Sequence, residues 1–103
     1  MVLDDNFEGF WIPRVIWEQE RLTPTEKMFL VEIYRLQNGD EGCSEGNEYF
    51  NNFFGVCTRT TRYTIGSLKS KGYIRRVMKH AQFRTLFLTK RTKRMLGLIP
   101  EDE

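Results

Sequence analysis

Between Thr58 and Pro100 the chain places twelve Lys and Arg side chains and not one Asp or Glu, although the formal charge of all 103 residues is only +2. Residues 1–57 hold four cations and eleven carboxylates. The near-neutral total therefore hides a polarised molecule. Twelve uncompensated positive charges repel one another unless a polyanion, an acidic partner or the acidic half of a second copy neutralises them. Asymmetry of this kind between halves points to nucleic acid or a membrane surface.

Composition narrows the choice. With 40% apolar and 14% aromatic residues in a chain of this length, one core can form without staples, and disorder is not expected. No stretch approaches ~18 uninterrupted apolar residues, so no membrane span is expected. Met1 to Asp5 has neither the basic nor the apolar region of a signal peptide, and the expectation is a cytoplasmic protein. Cys43 and Cys57 are too few for a disulfide framework; they read as reduced thiols, one in a loop and one packed at a helix start.

No repeat interrupts the chain, which divides into five stretches of one domain. Residues 1–22 form an N-terminal arm, in which Pro13 favours an extended start followed by a short helix or turn, with Trp11 and Trp17 anchoring the core. Residues 23–38 are the first long helix: Thr23 can cap it, Pro24 suits its first position and Glu26 sits where a capping box needs a carboxylate. Its stripe of Phe29, Leu30, Ile33, Tyr34 and Leu36 is read as buried, with Glu32 and Arg35 facing water and Asn38-Gly39 as the stop. Gly39 to Asn47 reads as a loop, and Asp40, Glu41 and Glu45 as solvated acids rather than a cation site.

Residues 48–72 hold a short aromatic helix, ended by Gly55, and a longer one from Thr58 to Lys71. At 100° per residue, Thr61, Ile65 and Leu68 share one side of that helix, while Arg59, Arg62, Tyr63, Gly66, Lys69 and Ser70 share the other. Alternating apolar and polar residues make 73–88 a β-hairpin with a basic tip. Residues 89–98 form a last basic helix, capped by Thr89.

The order of helix, loop, short helix, tight turn, helix and basic hairpin predicts an α+β, mostly helical fold, a winged helix-turn-helix. Phe53-Phe54-Gly55-Val56-Cys57-Thr58-Arg59-Thr60-Thr61, with Leu68 and Lys71-Gly72-Tyr73-Ile74, resembles the helix-turn-helix signature of that class. Together with Ile12-Pro13 and Leu22 to Lys27, it is similar to the N-terminal DNA-binding domain of phage and plasmid replication initiators and DnaD-like replisome organisers. The likeness spans roughly Trp11 to Thr89. Asn51, where such motifs place a small Ala, and Cys57, in place of a capping Ser, depart from it. So does Gly66, inside a helix where it costs about 1 kcal/mol relative to Ala; it serves either a packing need or the close approach of a backbone.

The resemblance implies that the second helix of the motif enters the major groove and that the hairpin lies on adjacent backbone. The residues fit that role. Arg59 and Arg62 can donate to guanine, Thr58 and Thr60 to phosphate or a base edge, and Tyr63 can offer its hydroxyl to phosphate and its ring to a thymine methyl. Lys69 and Lys71 suit phosphate, as do Arg75, Arg76, Lys79 and Arg84 in the hairpin, with His80, Gln82 or Lys79 at its tip. The partner expected is double-stranded DNA, read by a dimer or on paired sites, with replication proteins as further partners. Trp11/Trp17 and Met95/Leu96 are the apolar pairs that a dimer would use.

Two rivals stay open: a transcription regulator with the same binding mode, and a winged helix used for protein interaction in a replisome or phage assembly. An enzyme is not expected. His80 stands without a Ser, Cys or carboxylate placed for a relay, and neither Glu18/Glu20 nor Glu45/Glu48 suits general acid–base work. No Cys/His spacing suggests zinc, and no cofactor or metal is expected.

Overall fold

The computed structural model describes residues 11–37, 42–80 and 83–98. In chain order it contains α1 (Arg14–Trp17), α2 (Pro24–Leu36), α3 (Asn47–Phe54), α4 (Thr58–Ser70), β1 (Ile74–His80), β2 (Phe83–Leu88) and α5 (Lys90–Met95). The fold is α+β and mostly helical, with the two strands forming one antiparallel hairpin.

Helix α2 begins as its residues predict. Thr23 Oγ1 accepts from the Glu26 amide at 3.2 Å, Glu26 Oε1 accepts from the Thr23 amide at 2.8 Å, and Pro24 occupies the first turn. Phe29, Leu30 and Ile33 are buried, as is Val31, and Tyr34 and Leu36 pack at the edge of the core. Glu32 departs from expectation: it is buried. Because α2 touches α1, α4 and β2, its covered arc is wider than one apolar stripe. Arg35 Nε and Nη2 each donate to the Glu32 carboxylate at 2.8 Å, and the Tyr49 hydroxyl donates to it from α3. The segment Asn38-Gly39 and the acids Asp40 and Glu41 lie outside the described residues.

Glu26 is a second buried carboxylate. Beyond closing the capping box it accepts from Ser67 Oγ, and from Lys71 Nζ at 3.0 and 3.1 Å. Burial pushes its carboxyl up, but the bonds from Ser67, the Thr23 amide and Lys71 outweigh burial and hold the pKa at about 2, against an ordinary 4.5. A depressed carboxylate adds stability that is full above pH 4.5 and is lost as pH falls towards about 2. Thermal melts across that window should therefore show a shallower acid decline for Glu26→Gln than for the wild type. Equal slopes would assign the acid response to other carboxylates.

The arm corrects the expectation for its tryptophans: Trp11 is 79% and Trp17 54% exposed. The single turn after Pro13 buries Ile16, with Val15 packed at the edge of the core, and turns Trp17 outward. Trp17 instead lies beneath the Lys27 ammonium, 4.7 Å from its ring centre. The two thiols are free and lie where expected, one in a loop and one at a helix start, but it is Cys43 rather than Cys57 that is packed. Cys43 is buried and Cys57 exposed, because the chain at Cys43 pairs with β2 through two backbone bonds of 2.8 Å to Leu86.

Phe29 stacks on Phe50 and Phe54 at ring separations of 5.6 and 4.4 Å, which seats α3 on α2. Gly55, at φ +68°, ends α3 in the left-handed region. Asn51 then spans the turn, its carbonyl accepting from the Val56 amide at 3.0 Å and its Nδ2 donating to Thr58 Oγ1 at 2.7 Å. Thr61, Thr64, Ile65 and Leu68 of α4 are buried against this unit. The hairpin pairs Ile74 with Leu88 and Arg76 with Leu86, and β1 runs past the expected end to His80, with a register irregularity after Met78. Helix α5 is shorter than expected, and Met95 and Leu96 pack against the molecule's own core. That gives them an intramolecular contact.

Candidate nucleic-acid interface

Every residue expected on the outer side of α4 is exposed: Arg59, Arg62, Tyr63, Gly66, Lys69 and Ser70. The cause is local. Buried residues at 61, 64, 65 and 68 fix the helix rotation, so the 3.6-residue period turns the cations to solvent. Tyr63 stands 76% exposed among them. Thr58 opens α4 with its hydroxyl taken by Asn51, while Thr60 is half-buried and shares a hydrogen bond of 3.5 Å with Cys57 Sγ. That bond to Thr60 draws the Cys57 thiol below its ordinary value.

Strand alternation splits the hairpin cations. Arg76 and Arg84 stand on the face that carries Ile74 and Leu86, towards α4. Arg75 points the other way, its guanidinium 4.4 Å over the Phe87 ring. Lys71, expected on phosphate, does not join the basic face: its ammonium is bound to Glu26 and donates to the Arg21 carbonyl at 2.6 Å. Its position at the end of α4 brings it back under α2, where a buried carboxylate holds it. Lys79 and His80 lie in β1, but their side chains, and all of Gln82, are outside the described residues.

Between α4 and the hairpin lies a groove of about 440 Å³, with Arg62 and Lys69 on one wall and Arg76 and Arg84 on the other. No carboxylate among the described residues lines it. Gly66 also lines it from α4, and a Cβ there would meet nothing within 4 Å among the described residues. A packing need for this glycine is therefore removed. Asn47, at the start of α3, also lines the groove. It carried no sequence signal, since its place depends on how α3 meets the hairpin.

Arg84 is the least expected member. Its Nε and Nη2 are buried and make no hydrogen bond among the described residues. Burial pushes its guanidinium below the ordinary value, and the like charge of Arg76 acts in the same direction. Among the described residues, Lys71 is the one member of the twelve-cation segment paired with a carboxylate. No group of three or more His, Cys, Asp or Glu among them could hold a metal ion, and no helix is long and apolar enough to cross a membrane. The surface thus offers convergent N–H and O–H donors, one exposed aromatic ring and no opposing acid. Compared with protein-family models, curated proteins and solved structures, the chain matches none.

Proposed function

We propose that the chain is a winged-helix domain that binds double-stranded DNA, with α4 as the recognition helix and the β1–β2 hairpin as the wing. The observation that carries this reading is the exposed, carboxylate-free face of α4, flanked by two further hairpin guanidiniums. An α-helix fits the major groove, and Arg59 in the first turn is placed to donate a bidentate pair to guanine O6 and N7. Arg62 follows one turn later. Lys69 and Arg76 then neutralise phosphates on either side of the helix. The bridge between Cys43 and Leu86 supports the wing assignment physically, because it fastens β2 to the helical unit.

On the resemblance of Tyr49 to Ile74 to replication initiators, we propose that this activity serves phage, plasmid or mobile-element replication or its control. Catalysis forms no part of the proposal. Selection of bound duplexes from a random pool gives the preferred sequence; sites at an origin rather than a promoter separate replication from transcriptional control.

The binding mode itself is tested by titrating duplex across salt. Contact with about five phosphates gives a slope of log K against log[salt] near −4.5. Arg59→Ala should cost roughly 1–3 kcal/mol on the selected site and much less on random duplex, whereas Lys69→Ala should weaken both and flatten the slope by about 1. Absence of duplex binding even at low salt would overturn the proposal in favour of a protein-interaction module.

A further inference from the structure

We propose that the groove between α4 and the hairpin is a phosphate-binding site, anchored by Arg84, that takes a chain of two or more linked phosphates as a ligand in its own right. This goes beyond duplex recognition, since it concerns a concave groove and a compact polyanion. It stands whether or not α4 reads DNA.

The first observation is charge. Four cations, Arg62, Lys69, Arg76 and Arg84, converge on one groove that has no carboxylate among its described lining residues. Arrays of this kind on a flat surface are relieved by water and salt. In a concave site the field is focused, and the attraction for a multiply charged anion rises with each cation that faces it. Four cations on two walls call for more charge than one phosphate carries, and a groove of about 440 Å³, within the size range of small-ligand sites, has room for two or more linked phosphates.

The second is Arg84. A guanidinium keeps its charge at any ordinary pH and carries five donors in a fixed fork. In this chain two of its nitrogens are buried without a hydrogen-bond acceptor among the described residues. A buried donor of this kind costs free energy unless a ligand supplies the acceptor. Planar, paired N–H groups match two oxygens of one phosphate. A phosphate in the groove therefore answers the charge of Arg84, and a rotation of the side chain towards the groove would give its unmet donors the same acceptor.

The third is Gly66. It lies on an exposed helical surface, it has no positive φ and its missing side chain is not required by any neighbour. Helix stability alone disfavours glycine there. Keeping the groove open is the property that a side chain at 66 would abolish.

The test uses the whole chain and inorganic tripolyphosphate, with sodium chloride at matched ionic strength as the control. Tripolyphosphate is expected to raise Tm by on the order of 10 °C at a concentration about a hundredfold above its Kd. Amide shifts are expected at Gly66, Ser70 and Arg84. Arg84→Met should weaken tripolyphosphate at least about tenfold, as expected for loss of a charge-assisted pair. Gly66→Leu should abolish binding while leaving the unliganded Tm equal to or above wild type, which separates loss of the site from loss of the fold. Competition with duplex then distinguishes the sources of phosphate. Displacement of duplex by tripolyphosphate shows that the same seat can hold a nucleic-acid backbone; simultaneous binding of both shows a site for a free polyphosphate or nucleotide. A Tm response no larger than that to chloride, or undiminished binding by Gly66→Leu, overturns the proposal irrespective of the duplex result.

Discussion

Gly42→Ala is expected to destabilise the protein by about 2–4 kcal/mol, more than alanine at any other glycine of known surroundings. Two costs combine. The backbone at Gly42 has φ +76°, a left-handed conformation that costs an L-residue roughly 1–2 kcal/mol. In addition, a Cβ there would lie 2.8 Å from Phe87 Cε1 and Thr85 Cγ2 and 2.9 Å from the Leu86 carbonyl oxygen. Backbone oxygen cannot step aside as a flexible side-chain tip can. Moving it breaks the pairing of Cys43 with Leu86 that fastens β2 to the helical unit. Two other glycines divide the contributions. Gly55 has φ +68° with open space around it, so Gly55→Ala carries the backbone cost alone, while Gly46 has neither positive φ nor a near neighbour and should be close to neutral. Urea unfolding of the three variants should rank them Gly46, Gly55, Gly42 in increasing loss. Equal losses for Gly42→Ala and Gly55→Ala would mean that the neighbours yield freely and that the bridge is not a fixed attachment.

How far the sequence discloses this architecture depends on the range of the forces involved. Short-range signals read true. Thr23, Pro24 and Glu26 start α2 because a cap needs only neighbours three residues away, and Gly55 ends α3 because one residue must be left-handed. The two faces of α4 follow from period alone, and so does its outward row of cations. Alternation also guarantees that Arg75 and Arg76 diverge. Which of the two meets α4 depends on Ile74 and Leu86 facing inward, and that is a tertiary fact.

The misreadings share a different cause. Trp11 and Trp17 are the largest apolar side chains available, but the one-turn helix buries Ile16 and both tryptophans stay exposed. Cys43 lies in a stretch rich in Gly and acid, whose composition says loop and whose single bridge to Leu86 is long-range. Lys71 belongs to the basic half by position and to the acidic half by contact, held by Glu26 across 45 residues of sequence. Glu32 reads as solvent-facing because charged residues on helices usually are. Its burial depends on Arg35 one turn on and on Tyr49 from another helix.

That last network gives the second large effect. Arg35→Leu is expected to cost about 3 kcal/mol, because it removes the cation from a carboxylate with no solvent exposure of its own. Arg35 itself is 52% exposed, so some water can follow the lost guanidinium and the cost falls at the lower end of that for broken buried pairs. The double variant Glu32→Leu/Arg35→Leu should regain most of the loss, since replacing both members of a buried pair with apolar groups is often close to neutral. Tyr49 sets how complete the recovery is, because its hydroxyl loses the Glu32 acceptor in the double variant. Denaturant unfolding of the two single variants and the double gives the coupling directly. A double variant no better than Arg35→Leu would show that Tyr49, rather than the ion pair, dominates the site. The outcome bears on the basic face as well. Glu26 and Glu32 are the buried carboxylates of the described residues, and each is occupied internally, by Lys71 and by Arg35. With both acids neutralised inside the fold, neither is available to the cations of α4 and the hairpin.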